Sequence, residues 1–190
     1  NFLQTGQPVF MEKESKAYRF DYYVLLFFLT SFAGWIWEVV LFLFTEHRFV
    51  NRGVYEGPYL PIYGVGGLLL CLLLRSMQKK PLWVFFCSAL ICGILEYFSG
   101  ALLEYKWGVR WWDYSGHFMN IKGRVCLLGV TAFGAGGVLL VCLFLPCYER
   151  IYKKLPAKWR NLLCLLLTLV FVADAAWCAM HPNVGKGIVF

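Results

Sequence analysis

Charge is scarce in this chain. Only 15% of its 190 residues are Asp, Glu, Lys or Arg, against about 25% in soluble domains. So thin a charged set cannot clothe a water-soluble surface, and it excludes an ordinary soluble domain. Acids are scarcer than bases, 11 Asp and Glu against 18 Lys and Arg, for a net charge of +7. Also missing is any Cys-x-x-Cys pair. The eight cysteines (Cys71, Cys87, Cys92, Cys126, Cys142, Cys147, Cys164 and Cys178) lie mostly in apolar stretches. That excludes a zinc knuckle and a disulfide framework, and leaves them as small packing side chains. No Gly-x-x-x-x-Gly-Lys-Ser/Thr loop occurs, so the chain is not itself an ATPase of that kind. His-Glu-x-x-His, Gly-x-Ser-x-Gly and paired His/Cys metal spacings are absent as well, and no metal site is expected. No basic run is interleaved with stacking aromatics, which excludes a nucleic-acid surface.

Apolar residues are abundant instead, at 60%, with mean hydropathy +0.61 and 19% aromatics. Five apolar segments stand out, at about Tyr22–Phe44, Pro58–Leu74, Leu82–Leu103, Val125–Leu145 and Leu162–Met180. A helix needs roughly 20 residues to cross about 30 Å of hydrocarbon. The pattern predicts an all-α polytopic membrane protein with about five transmembrane helices and polar re-entrant or interfacial segments. The second segment is short and opens with Gly-Pro-Tyr-Leu-Pro, so its helix is expected to start inside a cavity rather than at the lipid surface. Residues 1–10 precede Met11, which opens a charged stretch and reads as a start; they are set apart here. Residues 11–190 read as one integral membrane domain, with a core over 22–145 and an additional C-terminal helix over 162–180. The first apolar run is too long for a cleavable signal. Lys and Arg number 11 on the N-terminal side of the spans and 7 on the other, which predicts a cytoplasmic N-terminus.

Two acids interrupt the apolar pattern, Glu38 and Glu96. A charged carboxylate at the centre of a membrane helix costs roughly 2.5–3.5 kcal/mol on insertion scales, and such groups usually face a bundle interior or a wet cavity. Fourteen residues after each comes an arginine, Arg52 and Arg110, followed by an aromatic–acid cluster, with Glu56 after the first and Asp113 after the second. The matched interval suggests a parallel internal repeat of helix pairs. Ser31, Gly34 and Glu38 share one helical face, and Gly93, Glu96, Gly100 and Glu104 share another. A protonated Glu bonded to a neighbouring helix would explain each acid equally well. For Glu104, close to a helix end, that structural role is the better reading. Asp174 is a third intramembrane acid, and Ala173, Ala175 and Ala176 around it suggest close helix packing.

Residues 107–124 form the densest polar–aromatic stretch. An interfacial aromatic belt accounts for Trp107, Trp111 and Trp112. It does not account for Asp113, Ser115, His117, Asn120 and Arg124 between and beyond them. Asp113 is a candidate to orient His117 or to pair with Arg110 or Arg124, and Arg124 is a candidate anion ligand.

Gly34-Trp-Ile-Trp-Glu38, Gly53-x-x-x-Gly57-Pro58-x-x-Pro61-Ile-Tyr-Gly64, Leu95-Glu96-Tyr97-x-x-Gly100, Trp112-Asp113-Tyr114-Ser115 and Asn120-Ile-x-Gly123-Arg124-x-Cys126-Leu127 occur in this order. Over about Tyr22 to Leu145 the chain resembles the bacterial membrane family described as ABC-transporter type IV, or CmpB-like permeases. The resemblance implies a multi-pass protein of the bacterial cytoplasmic (inner) membrane and suggests transport. It points to Glu38, Glu56, Pro58, Glu96, Trp112, Asp113, Tyr114, Asn120 and Arg124 as family positions; His117 falls between the motifs.

The leading expectation is therefore a transport component moving a small polar or lipid-like solute past intramembrane acids. Its substrate-binding set is Glu38, Glu56, Glu96, Trp112, Asp113, Tyr114, Asn120 and Arg124, with no cofactor indicated. A separate ATPase subunit, if one drives it, would dock on the Arg75–Lys80 or Arg150–Arg160 side, and small-residue faces are compatible with a homodimer. The alternatives are a membrane enzyme acting on a lipid or lipid-linked substrate at the outer leaflet, or a sensor or assembly protein.

Overall fold

The computed structural model describes residues 19–183. The expectations set on residues 1–10, on Met11 and on the basic residues Lys13, Lys16 and Lys186 lie outside that range. Among the described residues the regular elements are all helices, without a strand. The helices are α1 (Phe20–Glu46), α2 (Pro61–Leu74), α3 (Pro81–Trp107), α4 (Leu127–Val138), α5 (Leu145–Lys154) and α6 (Ala157–Met180). A π-helical turn, Leu139–Phe144, joins α4 to α5 into one span of 28 residues. Pro146 stands just after that turn. It has no N–H for the carbonyl four residues back, and a π turn is one way a helix absorbs such a mismatch. The fourth span thus runs past the expected end at Leu145 and carries Arg150, Lys153 and Lys154 on its last turns.

Four helices are long and apolar enough to cross a bilayer: α1, α3, the α4–α5 span and α6. The chain is a membrane protein. The shorter α2 has 14 residues, about 21 Å. Pro61 and Pro81 stand in the first turns of α2 and α3, where a missing N–H costs little. Gly108 ends α3 at φ +70°, its N–H returning to the Glu104 carbonyl at 2.8 Å. That left-handed cap is cheap only without a Cβ.

Lipid supplies no hydrophobic drive between helices, so close packing must hold the bundle. Glycines provide it. A Cβ on Gly64 would run into Ser31 and Phe27 of α1, and one on Gly137 into Ser88 of α3. At the end carrying Phe20 and Lys80, Tyr22, Leu26, Leu70, Leu74, Val84, Val141 and Leu145 form the buried core with Tyr148 and Tyr152. The Tyr148 hydroxyl donates to the Tyr22 carbonyl at 2.7 Å there. The outer stripe of α3, Leu82, Phe86, Leu90, Ile94, Phe98 and Leu102, recurs every four residues and is exposed, as a lipid-facing side would be.

The two helix pairs share chain order but not contacts. Arg52 returns to Glu38 at 3.3 Å, whereas Arg110 reaches Glu104 at 3.0 Å and not Glu96.

Candidate functional site

Depth is the first determinant of the site. The Leu60 N–H, just before α2, donates to the Ser31 carbonyl of α1 at 3.0 Å. Ser31 lies about 17 Å along a helix of about 40 Å, counting 1.5 Å per residue from Phe20. The segment from 47 to 60 therefore descends deep beside α1 before α2 sets off back the way the chain came. Above the start of α2, the space between α1 and α3 holds side chains of this re-entrant segment and of the loop 108–126.

Glu38 lies there, eight residues from the end of α1. Its Oε1 accepts the Tyr63 hydroxyl at 2.7 Å, and its Oε2 faces Arg52 Nε at 3.3 Å. Tyr63 stands in the first turn of α2 beside Gly34, and a Cβ on Gly34 would strike its ring. The short start of α2 and the glycine on α1 together bring that phenol to Glu38. Arg52 is 7% exposed. Its Nη2 donates to the Trp111 carbonyl at 3.3 Å, and its guanidinium lies 4.3 Å from the Phe42 ring centre. One arginine thus ties α1, the re-entrant segment and the second loop together.

Glu96 is 5% exposed. Its Oε1 accepts the Tyr114 hydroxyl at 3.1 Å, while its Oε2 is shut from solvent with no hydrogen-bond partner. Gly129, in the first turn of α4, borders that oxygen; a Cβ there would lie 3.8 Å from it. Glu38 is near enough for the two carboxylates to interact electrostatically. Burial pushes the Tyr114 phenol well above its ordinary value, so it stays a neutral donor.

A second polar layer lies toward the loop surface. Glu104 bridges Arg110 at 3.0 Å and Arg124 at 2.7 Å. The carboxyl of Asp113 takes the Ser115 hydroxyl at 2.5 Å and backbone N–H at 2.9 Å, with Arg110 at 3.5 Å. Those Ser115 bonds, helped by Arg110, hold it below the usual carboxylate range. Trp112 donates its indole N–H to the Arg124 carbonyl at 2.9 Å and lays its ring on Gly100. Asn120 donates to the Ser115 and His117 carbonyls at 3.2 and 3.0 Å and accepts the Gly123 N–H at 3.0 Å. Gly123, at φ +67°, closes the loop where a Cβ would meet Asp113 and Ser115. Trp112, Asp113 and Asn120 therefore shape the loop, and Tyr114 is the residue that the loop delivers to a buried acid.

The expected set divides accordingly. Glu38, Glu96 and Tyr114 converge at depth. Trp112, Asp113, Asn120 and Arg124 build the loop above them. The Glu56 side chain is exposed, and its main chain does the bonding: its carbonyl accepts from the Asn51 amide at 2.9 Å. His117 is exposed with its ring against Tyr114, and Asp113 does not orient it.

Asp174, which the sequence suggested for helix packing, instead holds the re-entrant segment. Its carboxylate accepts the Gly57 N–H at 3.0 Å, the Glu56 N–H at 3.4 Å and the Tyr59 hydroxyl. Burial and that contact push the Tyr59 phenol up. Asn183 donates to the Asn51 and Gly53 carbonyls at 3.1 and 3.0 Å. Tyr63, Tyr59 and Arg52 were missing from the expected set. The available signal was the position of Arg52 and Tyr59 around Gly53-x-x-x-Gly57-Pro58, a turn-rich segment between two apolar helices.

The family model described as "Putative ABC-transporter type IV" matches residues 25–179, most of the chain. No curated protein and no solved structure matches it.

Proposed function

The chain belongs to the ABC-transporter type IV family, and from that premise we propose that it is a membrane transport component whose substrate passes the Glu38–Arg52–Tyr63 and Glu96–Tyr114 cluster. The observation that carries this reading is the Glu96 carboxyl, buried in a membrane helix with one oxygen unpartnered. A buried acid with an unpartnered oxygen inside a membrane helix can meet a polar solute or exchange a proton with one. Glu38 is its opposite, already paired with Arg52.

In this reading the structure corresponds to an occluded state. The segment 47–60 and the loop 108–126 close the site, with Trp112, Asp113, Asn120 and Arg124 keeping the second loop in shape. Release of the Arg52 bond to the Trp111 carbonyl would let the two loops part. The end of the bundle with Arg75, Lys79, Lys80, Arg150 and Arg160 would face the cytoplasm of a bacterial cell. A separate ATPase subunit, if one supplies the energy, would dock there. Hydrolytic chemistry by Asp113 and His117 has no support in the geometry, since Ser115 and Arg110 occupy the Asp113 carboxylate.

The test is a comparison of solute content, inside cells and in medium, for cells lacking the protein, carrying it, or carrying Glu38→Gln or Glu96→Gln. The reading expects one solute to redistribute in the null, Glu96→Gln to reproduce the null at wild-type membrane abundance, and Glu38→Gln to reproduce it per molecule present, at lower abundance because Arg52 loses its partner. Full restoration by both variants would remove the acid pair from the mechanism.

A further inference from the structure

A groove of about 350 Å³ runs along α3 where it meets the start of α4. Leu90, Gly93, Ile94 and Phe98 line it from α3, with Val125 and Val130 opposite, and its walls are hydrocarbon. Toward the loop end it reaches Tyr97 and Ile121. There the Arg124 guanidinium stands 5.6 Å from the Tyr97 ring centre, and the next residue after Ile121 is the exposed Lys122.

We propose that this groove seats one anionic phospholipid of the surrounding membrane. Its acyl chain would lie along α3 and its phosphate beside Lys122 and Arg124. Shape selects the chain. From Ala89 to Phe98 the groove follows nine helical steps, about 14 Å. A volume of 350 Å³ over that length leaves a cross-section of about 25 Å². The groove therefore has room for an extended hydrocarbon chain. Charge selects the headgroup. At the loop end Lys106, Arg110, Lys122 and Arg124 outnumber Glu104 and Asp113 by two, and Glu104 already occupies one side of Arg124. The remaining positive potential suits a phosphodiester that carries a net charge, and a zwitterionic head gains less from it. Arg124 pairs with Glu104, three residues from the end of α3. The basic groups thus stand at head-group depth while the groove stays in hydrocarbon. This inference concerns the lipid face and does not rest on the transport reading.

The full-length protein in a mild detergent would be titrated with phosphatidylglycerol or with phosphatidylcholine of the same chains, and bound lipid counted by native mass spectrometry. The expected result is one phosphatidylglycerol retained at least tenfold more tightly than phosphatidylcholine. Filling the groove from its lipid side with Leu90→Trp or Ile94→Trp should abolish retention, and Lys122→Gln should reduce the preference at least threefold while leaving weak phosphatidylcholine binding. Should the α3 variants fold poorly by circular dichroism, Ile121→Trp fills the groove from the other wall. Equal retention of the two lipids, or retention unchanged in a well-folded filled variant, overturns the proposal. So does a dimer that Ile94→Trp disperses with no lipid bound.

Discussion

Arg52→Gln should be among the most damaging single substitutions in the second half of α1 and its neighbours. The Arg52 side chain is 8% exposed and faces Glu38, whose side chain is 20% exposed, at 3.3 Å. Removing one partner of a buried pair leaves an uncompensated charge and typically costs about 3–5 kcal/mol. The bond to the Trp111 carbonyl and the stacking on Phe42 are lost with it. These terms are coupled, so about 3–5 kcal/mol is the expected total rather than a base to add to. At about 2–4 °C per kcal/mol for a chain of this size, Tm should fall by roughly 6–20 °C. The assay is thermal unfolding of the detergent-solubilised protein, read alongside amide exchange of residues 111–114, which should quicken because Trp111 loses its tie. Glu38→Gln removes the orphaned charge and keeps an acceptor for Tyr63, so the double variant should recover more than half of the loss. If Arg52→Gln shifts Tm by less than 2 °C, or the two substitutions add within about 0.5 kcal/mol, the ion pair does not organise this region.

Gly34→Ala should cost about 1–3 kcal/mol, because its methyl collides with the Tyr63 ring; Gly136→Ala, whose Cβ meets nothing, should leave Tm unchanged. Asp174→Asn should speed amide exchange at Glu56 and Gly57 and cost about 1–3 kcal/mol, since those N–H groups lose a charged acceptor; unaltered exchange would refute the clamp. Asp113 has a folded-state value below the ordinary 3.9 or so, so its contribution to the loop is complete above about pH 5 and fades only as pH falls through that lowered value. Protection of the Ser115 amide should therefore be flat from pH 8 to 5 and drop below about pH 4, and Asp113→Asn should flatten that drop.

Much of the architecture was legible in one dimension because it depends on one-dimensional quantities. Run length against bilayer thickness placed the apolar segments, and their order and number carry over to α1, α2, α3, the α4–α5 span and α6. Glycine and proline at Gly57-Pro58 and Pro61 marked a helix that starts at depth. The acids Glu38 and Glu96 declared themselves by composition alone, as polar exceptions in hydrocarbon. Partner choice was another matter. The identical 14-residue interval to Arg52 and Arg110 suggested equivalent pairs, yet one arginine turns inward to Glu38 and the other outward to Glu104. The difference arises because α2 starts halfway and leaves room for Arg52 above it, whereas Gly93 lets the long α4–α5 span pack against α3 through Val130. Likewise Asp174 meets Gly57 and Tyr59 across more than a hundred residues of chain. An interval in sequence says which charges exist and how far a backbone can carry them. Which carboxylate keeps an arginine, and which is left with an unpartnered oxygen, depends on the volume between helices, and only their packing decides that.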